Sequence, residues 1–136
     1  MTTDTNPPGT AWMQIVKKKG TSDFATSFTA DASLQTSALS KAVVGPTLIG
    51  AFFAATSTMY EHFVFTAETV DGVKTYLEWE AIHGGNPIAG TTIITRSEAG
   101  LINNIKLFQS PFAVVREFSS GLKERLAGTL GQDFFR

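Results

Sequence analysis

The chain contains no cysteine, which removes disulfides, thiolate metal sites and cysteine nucleophiles together. Two histidines leave little material for a zinc site, so neither a metal nor a cofactor is expected. An excess of either charge is also missing. Eleven basic residues face twelve acidic ones for a net charge of −1, whereas a polyanion binder should carry a basic surplus. The longest apolar runs fall short of the roughly 18 residues of a membrane span, and the polar N-terminus has no signal-peptide core. The expectation is a soluble, cytoplasmic protein with neither a nucleic-acid nor a membrane partner. What is present is ordinary for a globular domain: 136 residues, 43% of them hydrophobic. A chain of that length buries roughly two-thirds of its unfolded surface and needs no staple.

Residues 1–9 are polar, carry the Pro7-Pro8 pair and lack periodicity, and so read as a disordered tail ahead of a single domain over 10–136. Thr10 is placed to cap a helix over 11–19, with Trp12, Ile15 and Val16 on one face and Gly20 ending it. Thr21 or Ser22 then caps a short helix reaching Phe28. Residues 31–44 suggest a short strand and a loop. Gly45-Pro46 opens another helix over 47–59, with Leu48, Ile49, Phe52, Phe53 and Met59 as its buried stripe. The period then changes to two: β-rich runs over 60–68, 74–82, 88–96 and 101–109 are separated by turn residues, giving an antiparallel meander. Ser110-Pro111 precedes a last helix, in which Phe112, Val115, Phe118, Leu122 and Leu126 recur at helical spacing. The order is three helices, a sheet of long strands and one more helix.

Asp71-Gly72 is a preferred pair for a two-residue hairpin turn. Pairing Val70 with Val73 across it puts His62, Val64, Thr66, Leu77, Trp79 and Ala81 on one face. Phe63, Phe65, Ala67, Tyr76, Glu78, Glu80 and Ile82 then share the other. Pairing Ile82 with Ile88 across the next turn sets Glu78 opposite Thr92 and Glu80 opposite Gly90. Both faces carry large apolar groups. Helices cover one; for the other a second copy of the chain is expected, through Trp79, Leu77, Val64 and Ile93, because monomers rarely expose broad apolar patches. The alternative is that these residues are simply strand formers in a monomer.

Four segments, in this order and spacing, resemble the nuclear transport factor 2-like superfamily, in its SnoaL-like branch: FATSFTADASL (24–34), GPTLIGAFF (45–53), TYLEWE (75–80) and GLINNIKLFQSP (100–111). The resemblance covers almost the whole chain after the tail. It implies an α+β fold in which N-terminal helices pack in the concave face of a strongly curved, mainly antiparallel sheet (a cystatin-like cone), with an added C-terminal helix. It also implies a mostly apolar pocket inside the cone and, in many members, dimers through the outside of the sheet. Ketosteroid isomerase, limonene epoxide hydrolase, scytalone dehydratase and small polyketide cyclases are such proteins. The isomerase uses a carboxylate base with a tyrosine and a protonated acid as its oxyanion hole. Those positions fall here on about Thr36 for the base, Trp12 for the tyrosine and Thr92 for the acid. The epoxide hydrolase sets an arginine between two aspartates; the corresponding positions here are Glu78, Glu80 and Leu107. Neither constellation is kept.

On the register above, Glu78 and Glu80 face the cone interior and are the candidate catalytic pair. An apolar pocket disfavours a charged carboxylate, and two such groups at i, i+2 can share a proton, which suits a general acid or base. Two glutamates on a wet sheet face, or one paired with Lys74 or Lys106, are the plainer reading. Trp12, Phe28, Phe53, Phe63, Phe65, Tyr76 and Leu107 are expected to line the cavity, with Thr92 and Gln109 orienting a ligand. The functional expectation is a small, mainly apolar ligand with cofactor-free proton transfer left open; a filled cone in a dimeric interaction or scaffold protein is the alternative. His62 and His83 have no spacing suited to a triad or a metal site. Gly84-Gly85 precedes a strand rather than a helix, so it is no phosphate cradle. Lys17-Lys18-Lys19 solvates the end of the first helix, and Phe134-Phe135 docks on the body or frays.

Overall fold

The computed structural model describes residues 7–18 and 22–135. Most of the expected tail, together with Lys19, Gly20 and Thr21 at the end of the first expected helix, lies outside them. Four helices and six strands follow one another: α1 (Thr10–Val16), α2 (Ser22–Ala25), β1 (Phe28–Thr36), β2 (Val43–Val44), α3 (Pro46–Thr56), β3 (Glu61–Asp71), β4 (Lys74–His83), β5 (Asn86–Arg96), β6 (Ile102–Ser110) and α4 (Phe112–Arg125). A single 3-10 turn over Gln132–Phe135 closes the described chain. The expected elements are present, with three adjustments. Phe28 starts β1 rather than ending α2, although its ring still packs on Phe24 at 4.8 Å. The 31–44 region holds a nine-residue strand. Gly9, expected in the tail, is buried, and its N–H donates to Glu68 at 2.8 Å, which pins the start of α1 over β3.

The six strands form one curved sheet in the order β2-β1-β6-β5-β4-β3. β1 runs parallel to β6 and every other pair is antiparallel. Pro46 occupies the first turn of α3, where its missing N–H costs no hydrogen bond. Ile49, Phe52 and Phe53 of α3 and Val115, Phe118 and Leu122 of α4 are buried with Leu34, Leu77, Trp79, Ile94 and Ile105 of the sheet. That cluster is the core between the helices and the inner sheet face. Phe112 departs from the expected α4 stripe: it is 75% exposed, with the Arg116 guanidinium over its ring. At the far end, the Ser40 N–H donates to Phe134 O and Lys41 pairs with Asp133, so the C-terminal turn is docked rather than frayed. Among the described residues, no helix is long and apolar enough to cross a membrane.

Strand register determines which side chains reach the inside. The β3–β4 turn is Gly72-Val73, with Asp71 opposite Lys74, two residues away from the expected pairing. That slide alone keeps the same residues on the same faces, since side chains alternate with period two. The faces exchange at a bulge around Thr66, beyond which Phe65 pairs with Trp79 and Val64 with Glu80. An extra residue in one strand turns every side chain before it to the opposite face. A second irregularity lies between Glu61 and Val64, where His62 takes a left-handed backbone at φ 55. Across β4–β5, Gly84 and Gly85 both have positive φ and form a two-residue turn, so His83 meets Asn86 and Ile82 meets Pro87. This one-residue slide from the expected register puts Thr92 opposite Leu77 and Gly90 opposite Trp79.

Candidate functional site

Inside the sheet, α1, α3 and the inner faces of β3–β6 enclose a cavity of about 200 Å³. Helix α1 contributes Trp12, Met13 and Val16; α3 and the residues after it contribute Phe53, Thr56, Ser57 and Tyr60. The sheet supplies Phe63, Phe65, Trp79, Thr92 and Leu107. The walls are aromatic rings locked against one another. Phe63 stacks on Trp79 at 4.9 Å and meets Phe65 edge-on, while Trp12 meets Phe53 edge-on at 5.3 Å. Tyr60 stacks on Phe118 at 5.0 Å and presents its edge to Trp79.

Polar groups on this wall are few and specific. The Trp79 Nε1–H donates to Thr92 Oγ1 at 3.2 Å. Gln109, on the inner side of β6, donates through its amide to the Tyr60 hydroxyl. Burial pushes the Tyr60 phenol far above its ordinary value, and the bond from Gln109 offsets only part of that rise. The phenol therefore stays neutral and available as a hydrogen-bond donor. Among the described residues, no aspartate, glutamate or histidine lines the cavity, and no group of acidic or imidazole side chains is arranged to hold a metal. His83 makes a separate contact, with Nδ1 at 3.0 Å from Met59 O and its ring edge-on to Phe118.

The expected site is partly assembled. Trp12, Phe53, Phe63, Phe65, Thr92 and Leu107 reach the cavity as anticipated. Phe28 is buried against Phe24 in the core and does not line it. Gln109 acts from behind Tyr60 rather than on the wall. Tyr76 is half-buried, opposite Ile93, on the outer side of the sheet.

The acidic pair is displaced outright: Glu78 and Glu80 are exposed on the outer sheet face, where they border shallow grooves with Thr66, Ala89 and Thr91. The bulge at Thr66 is the reason, because it carries Phe63 and Phe65 inward without the glutamates of β4. Lys74 does not pair with them; its Nζ donates to Thr95. The same exchange corrects the expected dimer face. Trp79 and Leu77 are 2% and 0% exposed within one chain, whereas Val64 and Ile93 do lie on the outer side. Glu78→Gln and Glu80→Gln should each change unfolding free energy by less than about 0.5 kcal/mol. A urea-melt loss above about 1 kcal/mol for either would return that residue to the interior.

Six cavity residues were missed in sequence, Met13, Val16, Thr56, Ser57, Tyr60 and Trp79, of which the two large rings matter most. Trp79 had a signal: Thr75, Leu77, Trp79 and Ala81 alternate with Tyr76, Glu78 and Glu80, the pattern of a strand with one buried and one wet face. Tyr60 had none, since it lies in the short link between α3 and β3.

No family model matches the sequence, and no curated protein matches it. Solved structures do match. A steroid delta-isomerase from Pseudomonas aeruginosa superposes with a TM-score of 0.76 at 19% identity, covering 87% of this chain and 88% of the other. A protein with a cystatin-like fold from Silicibacter pomeroyi gives 0.78 at 20% identity, covering 93% and 90%. A ketosteroid isomerase-like fold from Catenulispora acidiphila, in complex with trimethylamine, gives 0.58 at 18%, covering 85% and 95%. The chain has a cystatin-like cone fold, the fold that the resemblance to the SnoaL-like proteins implied. At these identities the likeness defines the fold and not the activity.

Proposed function

We propose that the cone is a receptacle for a small, mainly apolar molecule of one or two rings. The observation that carries this reading is the 200 Å³ cavity walled by Trp12, Phe53, Tyr60, Phe63, Phe65 and Trp79. A dry apolar cavity of about 150 Å³ takes up benzene, so the space suits a slightly larger ring system. The shared cone fold supports the same reading, as does the open cavity against a solidly filled cone. Proton transfer of the isomerase type calls for a base at the ligand, and the carboxylates on β4 point away from it. The function favoured is therefore binding, without carboxylate catalysis.

Both tryptophans of the chain line the cavity, so intrinsic fluorescence reports occupancy directly. Titration with indane should change the emission saturably. Val16→Trp, which extends a large ring into the same space from α1, should abolish the change while circular dichroism stays native. An unsaturable response, or one unaffected by Val16→Trp, would rule out the cone as the receptacle.

We further propose that a second copy of the chain covers the outer sheet face, now through Val64, Tyr76, Ile93 and Phe108. Val64 and Phe108 are 52% and 48% exposed there. Lys106, opposite Ile93 on β6, lies on the same sheet as Glu78 and Glu80 of β4, with β5 between them. A two-fold axis across this face would bring the lysine of each copy toward the acids of the other. Sedimentation should give a dimer for the native chain and a monomer for Phe108→Asp. A native monomer, or a dimeric variant, refutes the face.

A further inference from the structure

Resting on the receptacle reading, we infer that helix α1 is the door of the cone: a ligand enters and leaves between α1 and β3, and the Glu68 carboxylate is the catch that holds the door shut. A molecule of one or two rings fills a cavity of about 200 Å³, and close-packed walls must part to admit it. The walls differ in how they are fastened. Strands β3 to β6 are tied to one another by backbone ladders. Helix α3 is rooted in the core through Ile49 and Phe52, both fully buried. Helix α1 has neither kind of anchor. Among the described residues, the backbone hydrogen bonds of residues 9–16 stay within α1 and its flanks, with one exception. That exception is the Gly9 N–H, which donates to Glu68 Oε1 at 2.8 Å.

The rest of the hold on α1 is apolar contact around the cavity itself. Trp12 and Val16 are buried, and the Trp12 ring meets Phe53 edge-on at 5.3 Å. These two residues and Met13 are what α1 gives to the lining. Lifting the helix therefore opens the cavity, while the buried side chains of α3, α4 and the sheet keep one another. The seam is also where the lining meets water. Met13 of α1, Phe63 and Phe65 of β3, and Ser57 and Tyr60 after α3 keep part of their surface exposed, whereas Thr56, Trp79, Thr92 and Leu107 are buried. Where α1 begins, Gly9 lies on the Phe65 ring, and an added Cβ would stand 2.3 Å from Phe65 Cδ2. The bare glycine turns there at φ 80 and brings its N–H to Glu68. A single charge-assisted hydrogen bond beside an apolar seam is a catch that releases without unfolding the sheet.

Hydrogen exchange and binding kinetics test the door separately from the receptacle. Amide exchange of residues 13–16 is followed by NMR beside that of β4 and β5, in the full chain with and without indane. Without ligand, the α1 amides should exchange through an opening that leaves β4 and β5 protected. Glu68→Ala should lower α1 protection about fivefold, as loss of one hydrogen bond to a charged group allows, and leave β4 and β5 unchanged. Glu68→Gln, which keeps an acceptor oxygen, should recover part of that difference. Saturating indane should raise α1 protection about tenfold in the native chain. In stopped-flow tryptophan fluorescence, Glu68→Ala should speed indane association and release alike, about fivefold, with Kd within twofold of native. Native α1 amides as protected as those of β4 and β5 make the helix a fixed wall and overturn the door. Exchange and indane kinetics both untouched by Glu68→Ala overturn the catch. Faster α1 exchange with unchanged indane kinetics puts the passage elsewhere; it overturns the door and leaves the receptacle standing. Failure of indane to bind at all removes the receptacle and the door with it.

Discussion

Trp79→Ala should lower the unfolding free energy by about 3–5 kcal/mol, the usual range for deleting a fully buried aromatic ring. The indole is 2% exposed, stacks on Phe63 at 4.9 Å, meets the Tyr60 ring at 5.2 Å and hydrogen-bonds Thr92. Its loss would enlarge the cavity by the volume of the ring and leave Thr92 without its donor. Against a total stability of about 5–15 kcal/mol for a domain, such a loss leaves the variant close to its unfolding midpoint in mild denaturant. Urea melts followed by far-ultraviolet circular dichroism should show the midpoint falling with little change in slope. Trp79→Phe should recover part of the loss, since it restores ring packing but not the N–H. A cost below about 1 kcal/mol for Trp79→Ala would mean that the indole sits on the wet side of β4, and the assignment of the two sheet faces would be reversed.

Gly90→Ala is expected to have the next largest effect, about 1–3 kcal/mol and up to the loss of a single packed state. Gly90 lies directly opposite Trp79, and the indole rests on the glycine backbone. An added Cβ would stand 2.3 Å from Trp79 Cζ2 and 2.7 Å from the main-chain oxygen of Phe108. The backbone oxygen has no side-chain freedom with which to give way, so either the ring or the β5–β6 ladder must shift. Strand glycine here is a case of close approach rather than of turn chemistry. Thermal melts and the tryptophan emission of Gly90→Ala should report both consequences: a lower midpoint and a red-shifted spectrum from a displaced indole. A variant with native midpoint and native emission would show that Trp79 does not lie over Gly90.

Local pattern was enough to place most of the elements. Gly45-Pro46 marked the start of α3, and the stripe Ile49, Phe52, Phe53 gave its buried side. Four alternating runs located β3 to β6 to within a few residues. The family-like order of segments pointed to the cone, and the fold agrees. The inward-pointing set came out mixed for an identifiable reason. From Glu68 to the turn the residues of β3 and β4 expected to share a face do share it, even though the pairing is two residues away. Before Thr66 a single unpaired residue in β3 breaks that match, so Phe63 and Phe65 point inward as expected while Glu78 and Glu80 stay outside. The alternation within β4 carried the correct answer by itself, with leucine and tryptophan on one side and two glutamates on the other. Projecting the turn register across the whole hairpin overrode it.

The sequence by itself determined the helices, the meander and the existence of an apolar interior, since these rest on periodicity and on residues that stop or start an element within a few positions. Which rings meet around the cavity, and which acids are left in water, was decided only in the tertiary structure. Bulges and two-residue turns cost little locally, yet each shifts the parity or register of a whole strand, and only packing against the facing strand and helices selects among them.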